Sequence, residues 1–105
     1  MGPMNSDAPS GPAAGRDGPT AIEFFWRPGC PFCSMLERGL INAGIPIVKR
    51  NIWDEPAAAD IVRSVADDNQ TVPTVRVDGR ALVNPSVAEV RELVAALAPE
   101  LLPGG

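Results

Sequence analysis

The sequence predicts an α/β domain in which a four-stranded mixed sheet, in strand order 2-1-3-4, is flanked by three helices. Three observations carry this. Between Ala21 and Ile52 an apolar run, an amphipathic run and a second apolar run follow one another, the pattern of a right-handed strand–helix–strand unit with parallel strands. Asp78 and Gly79 separate two short β-prone runs and form a strong two-residue hairpin signal. Ser86 with Glu89 three residues on forms a capping box that opens a last amphipathic helix.

The first strand spans Ala21 to Trp26, with Ile22, Phe24, Phe25 and Trp26 apolar, and Pro28 and Gly29 end it. A helix then runs from Pro31 to about Ala43. Phe32, Met35, Leu36 and Leu40 recur at spacings of three and four as its core face, and Gly44 stops it. Ile45 to Ile52 is the second strand, with Pro46 limiting its start. Asp54 or Glu55 caps the next helix, Pro56 occupies its first position, and Ala57, Ala58, Ile61, Val62 and Val65 form its apolar side until Asp67, Asp68 and Asn69 end it. Val72 to Val77 and Arg80 to Val83 are the arms of the hairpin. The closing helix presents Val87, Val90, Leu93, Val94 and Leu97 on one side.

Both cysteines of the chain, Cys30 and Cys33, lie where the first strand passes into the first helix. Three positions apart in a helix, their Cα atoms fall about 5–6 Å from one another, within bonding distance for a disulfide. Cys30 precedes the helix, where unpaired N–H groups and the positive end of the helix dipole favour a thiolate, the attacking species in sulfur exchange. Cys33, one turn inside, is expected to be more buried. Pro31 suits the first turn, and Gly29 lets the backbone bend before the nucleophile.

A structural zinc site needs four ligands, and the chain has two Cys and no His. The absence of His also removes a Cys–His hydrolase. A purely structural disulfide closing so short a loop constrains the unfolded chain little. Redox chemistry remains. A Cys-x-x-Cys after the first strand of such a unit is the thioredoxin-like arrangement.

With 105 residues there is room for one small domain. We place it at residues 20–99, between a disordered tail at residues 1–19 and a short tail at 100–105. Met1 to Pro19 contains no Val, Ile, Leu or aromatic residue, so it cannot bury enough apolar surface to offset the entropy of ordering. It lacks the apolar centre of a secretory signal, and no stretch of the chain approaches a membrane span. The Gly2 to Ser6 match to the loose N-myristoylation pattern is read as chance. The expectation is a cytoplasmic monomer that does not engage membranes. A net charge of -4, without a basic run, also argues against a nucleic-acid partner. Lys49 is the single lysine among nine basic residues, and Ala and Pro are abundant, the bias of a GC-rich genome.

Arg27, Pro28, Gly29, Cys30, Pro31, Phe32 and Cys33, with Thr71, Val72 and Pro73 about forty residues later, resemble the glutaredoxins over residues 20 to 98. The stretches Asn69 to Val75 and Asn84 to Val90 are more similar to the actinobacterial mycoredoxins than to the glutathione-using members. The resemblance implies a glutaredoxin fold of the thioredoxin-like type and a thiol–disulfide oxidoreductase with no bound cofactor. It implies that Cys30 is the nucleophile and Cys33 the second thiol, and that Pro73 is cis and set against Cys30. It also implies that the backbone of Val72 pairs with the cysteinyl part of an incoming thiol. The alternative is that Pro73 merely starts a strand, where its lost donor is tolerated.

Arg27 matches the basic residue that takes a glutathione carboxylate in that family, but Asn84 and Pro85 replace the double glycine that precedes the last helix. Mycothiol, a cysteinyl sugar–inositol thiol without carboxylates, suits Asn84 and Ser86 better, with glutathione as the competing co-substrate. Ser86 has an equally good role as a helix cap. Phe32 is expected to shield the motif and to offer an apolar contact to target proteins, which carry a disulfide or a captured small thiol. Trp26 and Trp53 are assigned to core or surface packing. The competing functions are a donor reduced directly by thioredoxin reductase, of the ribonucleotide reductase donor type, an iron–sulfur cluster carrier, and a binding module with an inert disulfide.

Overall fold

The computed structural model describes residues 21–103; the tail expected at residues 1–19 and the last two residues lie outside them. Strand β1 (Ile22–Trp26), helix α1 (Pro31–Asn42), strand β2 (Ile47–Asn51), helix α2 (Pro56–Val65), strands β3 (Thr74–Val77) and β4 (Arg80–Val83), and helix α3 (Val87–Leu97) follow in order. The sheet order is β2-β1-β3-β4, with β1 parallel to β2 and antiparallel to β3, and β3 antiparallel to β4. This is the predicted mixed sheet. The β3–β4 turn has Asp78 at φ 47 and Gly79 at φ 86, the positive pair that a two-residue hairpin turn requires.

Period-two alternation along β1 sends side chains to both faces of the sheet. Ile22 and Phe24 are buried with Val75 and Val77 beneath Leu36 and Leu40 of α1 and Val90 and Val94 of α3. Phe25 points the other way, against Ala58, Ala59 and Val62 of α2. Each fully buried Phe contributes about 1.5–3 kcal/mol. Glu23 shares the Phe25 face, and the strip there is closed by charge: Glu23 binds Arg50 on β2 at 2.8 Å and Arg76 on β3. The Arg76 hydrogen bond is the main cause holding the Glu23 carboxyl below its ordinary value.

Several positions differ from the sequence expectation. The buried face of α1 is Cys33, Leu36 and Leu40, whereas Phe32 and Met35 are 65% and 67% exposed. Neither side chain belongs to the two packed clusters that flank the sheet. β2 is shorter than expected, because Ile45 and Ile52 are buried in the connections on either side of it. In α2 the buried residues are Ala58, Ala59 and Val62, while Ala57 and Val65 are exposed. Glu55 is the N-cap residue of α2 by position, but its carboxylate makes no cap bond and is drawn to Arg50 at 3.0 Å. The hairpin's first arm starts as a strand at Thr74, two residues late, because Val72 and Pro73 form a bend joined by a cis peptide bond. Beyond Ala98 a 3-10 turn at Pro99–Leu101 folds back and buries Leu101 in the core, where a tail was expected from residue 100.

Candidate active site

The end of β1 and the start of α1 carry the dithiol. Cys30 is the N-cap of α1, in extended conformation at φ -104, ψ 104, and Pro31 follows at the first helical position. The Cys30 carbonyl accepts the Ser34 N–H at 3.2 Å, so the residue is half inside the helix. Its sulfur accepts the Cys33 N–H at 3.3 Å. Sulfur thus takes the place that a serine or aspartate oxygen normally fills at an N-cap. No acidic side chain lies in the first turn to compete for the positive end of the helix. Gly29, at φ 78, supplies the left-handed turn just before the sulfur.

Both cysteines are free thiols, Cys30 7% exposed and Cys33 2% exposed, which is the expected order. Burial pushes the Cys33 thiol up to about 12, and the Cys30 sulfur adds to that rise. A backbone hydrogen bond from Arg27 pulls in the opposite direction without cancelling it. The two sulfurs are therefore inequivalent, one at a helix mouth and one a neutral thiol beneath it. Among the described residues no group of three or more His, Cys, Asp or Glu side chains is placed to hold a metal ion.

The β3 side of the sheet brings up the prolyl bend. Cys30 Sγ lies 3.9 Å from the Val72 carbonyl oxygen. The bend is held from both ends, since Thr74 Oγ1 donates to the Thr71 carbonyl at 2.8 Å and the Asn84 N–H donates to the Pro73 carbonyl at 2.8 Å. Phe32, Pro73, Asn84 and Ser86 then line one open groove of about 230 Å³ beside the dithiol, together with Met35, Leu36, Pro85 and Val87. Asn84 reaches it by adopting φ 51, in the left-handed region where asparagine is tolerated. Ser86 carries both halves of the capping box, its Oγ accepting the Glu89 N–H at 3.1 Å while Glu89 Oε1 accepts the Ser86 N–H at 2.8 Å. The hydroxyl hydrogen of Ser86 is left free to donate.

Most of the predicted site residues are therefore gathered in one place, with two qualifications of role. Thr71 does not line the groove, and what it offers the bend is its carbonyl. Arg27 also stands apart from the groove, its guanidinium over the Trp53 ring at 5.6 Å. Two residues of this region escaped the sequence reading: Met35, placed on the core face of α1, is 67% exposed, and Thr74 is a fully buried hydroxyl that ties down the bend. Trp53, expected in core or surface packing, is 61% exposed. Helical periodicity identifies Met35 as apolar without giving its direction. A Thr three residues after the carbonyl it binds is a recognisable local pattern.

The glutaredoxin family model matches residues 22–82, from β1 through most of the hairpin. The chain belongs to the glutaredoxin family. Mycoredoxin 1 of Corynebacterium glutamicum is 39% identical over 70 residues, which cover 66% of this chain and 86% of that protein. A glutaredoxin-like protein of Mycobacterium tuberculosis is 35% identical over 79 residues, covering 74% of this chain and 94% of the relative. In fold, the chain is similar to a buckwheat glutaredoxin solved in complex with glutathione, with a TM-score of 0.56 at 21% identity over 76% of this chain and 74% of that one. This glutaredoxin is a thiol–disulfide oxidoreductase of thioredoxin-like fold, similar to the mycoredoxins. No helix among the described residues is long and apolar enough to cross a membrane.

Proposed function

We propose that this glutaredoxin reduces mixed disulfides between cytoplasmic proteins and a low-molecular-weight thiol, with mycothiol preferred over glutathione, and that Cys30 is the attacking sulfur. The observation that carries the reading is the position of that sulfur, which accepts the Cys33 N–H at 3.3 Å and stands 3.9 Å from the Val72 carbonyl. That sulfur stands at the N-terminus of α1, and the cysteinyl backbone of an incoming thiol can pair with the backbone at Val72.

As the thiolate, Cys30 attacks the sulfur of the small thiol in the mixed disulfide. The protein thiolate leaves, and a Cys30–small-thiol disulfide forms. A second small thiol attacks the captured sulfur, giving the symmetrical small-molecule disulfide and regenerating Cys30. In net, the protein–small-thiol disulfide is exchanged for the small-molecule disulfide: one free small thiol is consumed, its proton goes to the released protein thiol, and Cys30 is unchanged. Targets with an internal disulfide need Cys33 to resolve the enzyme–target intermediate. Its thiol, held near 12, is a poor nucleophile until its proton is taken, which makes the single-cysteine route the natural one for captured small thiols.

The preference for mycothiol is supported by the mycoredoxin similarity and by the groove beside Cys30. There Asn84 and Pro85 stand where glutathione-using members have a double glycine, and the Ser86 hydroxyl is able to donate. The test is recycling of a protein mixed disulfide with mycothiol and its reductase, with glutathione and its reductase, and with thioredoxin reductase and NADPH. Cys30→Ser should abolish turnover in every arm, whereas Cys33→Ser should keep reduction of mixed disulfides and lose that of internal disulfides. Activity retained in Cys30→Ser refutes the nucleophile assignment. Turnover supported best by thioredoxin reductase refutes the small-thiol reading.

A further inference from the structure

Trp53 is 61% exposed and belongs to neither of the two packed clusters that flank the sheet. An indole left in water adds little to the fold, yet the loop presenting it is firmly built. Asn51 Oδ1 accepts the Trp53 N–H at 2.9 Å, and the Asn51 carbonyl accepts the N–H groups of Asp54 and Glu55 at 3.1 and 3.0 Å. The Ile52 N–H donates to the Trp26 carbonyl at 3.0 Å, which ties the loop to the residue before Arg27.

The Arg27 guanidinium lies over the Trp53 ring at 5.6 Å, and the Arg27 backbone is hydrogen-bonded to Cys33. The ring is thus one residue's reach from the dithiol. Among the described residues the guanidinium bonds only the Pro28 carbonyl, at 3.2 Å, which leaves most of its five donors available. The sheet order β2-β1-β3-β4 sets this pair, which follows β1 and β2, across the end of β1 from the groove with Pro73 and Asn84.

We infer that Arg27 and Trp53 form a second recognition surface on the far side of Cys30, one that takes a polyhydroxylated ring and makes Trp53 a specificity-determining residue. The inference rests on the small-thiol reading above and names the feature of the thiol that is recognised. A pyranose or cyclitol presents a face of C–H bonds, weakly positive, which lies favourably on the negative face of an indole. Its hydroxyl edge accepts hydrogen bonds from the guanidinium. The cation already over the ring holds the platform in place before the ligand arrives. An acyclic tripeptide has no such face, and its carboxylates engage Arg27 alone. Trp53 therefore discriminates between the two kinds of thiol, and Arg27 serves both.

The test compares kcat/KM on one reporter protein carrying, in separate samples, mycothiol, glutathione or N-acetylcysteine as the mixed disulfide. Trp53→Ala should lower the mycothiol value relative to the N-acetylcysteine value by about tenfold, and Trp53→Phe should recover most of that ratio. An independent readout is Trp emission of the Cys33→Ser protein after capture on Cys30. Mycothiol should change it more than N-acetylcysteine does, and Trp53→Phe should remove the difference. A mycothiol-to-N-acetylcysteine ratio equal in wild type and Trp53→Ala overturns the inference whichever thiol the wild type prefers. The wild-type preference between mycothiol and glutathione, read from the same data, judges the earlier reading separately.

Discussion

Thr74 is fully buried, and its hydroxyl donates to the Thr71 carbonyl at 2.8 Å, closing the bend that sets Val72 and Pro73 against Cys30. Thr74→Val keeps the branched shape and removes the donor. An intramolecular hydrogen bond is worth about 0.5–1.5 kcal/mol net, and stranding a buried acceptor adds about 1–3 kcal/mol. Thr71 is only half-buried, so water can reach its carbonyl, and the total loss is held to about 1–2 kcal/mol. In a domain of this size each kcal/mol lowers Tm by about 4–8 °C. Slackening the bend also misplaces the edge that receives the substrate, so kcat/KM should fall about tenfold. Thr74→Ser is the control, since it keeps the hydroxyl and loses a methyl, at a cost of about 1 kcal/mol. Its turnover should stay within about twofold of wild type, because the bend remains tied. Urea unfolding and mixed-disulfide turnover measured on both variants decide the matter. If the Val and Ser variants lose equal activity, the hydrogen bond does not position the bend, and if the Val variant is as stable as wild type, the bond is not made.

Cys33 supplies a pH prediction. Its thiol is held at about 12 in the fold against an ordinary 9.0, so between those values the unfolded chain gives up the proton first and stability falls as pH rises. Under reducing conditions the wild type should lose at most ~1.4 kcal/mol per pH unit more than Cys33→Ser above pH 9, and parallel curves would contradict the burial argument. Gly39 supplies a packing prediction: a Cβ there would stand 2.6 Å from Val87 Cγ2, where α1 meets α3. Alanine gains about 1 kcal/mol in helix propensity and loses about 1–3 kcal/mol to overpacking, so Gly39→Ala should be neutral or destabilising by up to about 2 kcal/mol. In a Val87→Ala background the same change should stabilise; a chemically measured double-mutant cycle without that sign change would remove the steric account.

The parts of the fold that were legible in the sequence are those set by local chemistry. Asp78 and Gly79 accept the positive φ values of a tight hairpin turn, and Ser86 and Glu89 cap each other across one helical turn. Neither depends on what lies opposite. The phase of α1 does depend on it. Leu36 and Leu40 belong both to a stripe that includes Phe32 and to one that includes Cys33, and a sequence that scores Phe above Cys as apolar selects the first. The fold selects the second, and cysteine is readily buried. Between core and surface the sequence leaves Trp53 open, since an aromatic residue reads the same whether it is packed or presented. Leu101 was missed because the Pro at residue 99 was read as the end of the domain, when it starts a turn that returns the chain to the core.

Topology, rather than proximity in sequence, assembles the site. β1 and β2 run in parallel, so both end at the same edge of the sheet, and Trp26 is paired with Asn51 there. β3 is antiparallel to β1 and begins at that edge, with Thr74 opposite Phe25, and β4 returns to it, with Val83 opposite Thr74. The residues just beyond these four positions are Arg27, Ile52 with Trp53, Pro73, and Asn84. Cys30 follows Arg27 by three residues, so the edge furnishes flanks for one sulfur from the loops that follow β1 and β2 and those that adjoin β3 and β4. The charged strip of Glu23, Arg50 and Arg76 lies within the strands, on the Phe25 face of the sheet. Substitution of an exposed residue on the edge, such as Phe32 or Trp53, should therefore alter which thiol is accepted while leaving the melting temperature nearly unchanged, and substitution of Glu23 should do the reverse.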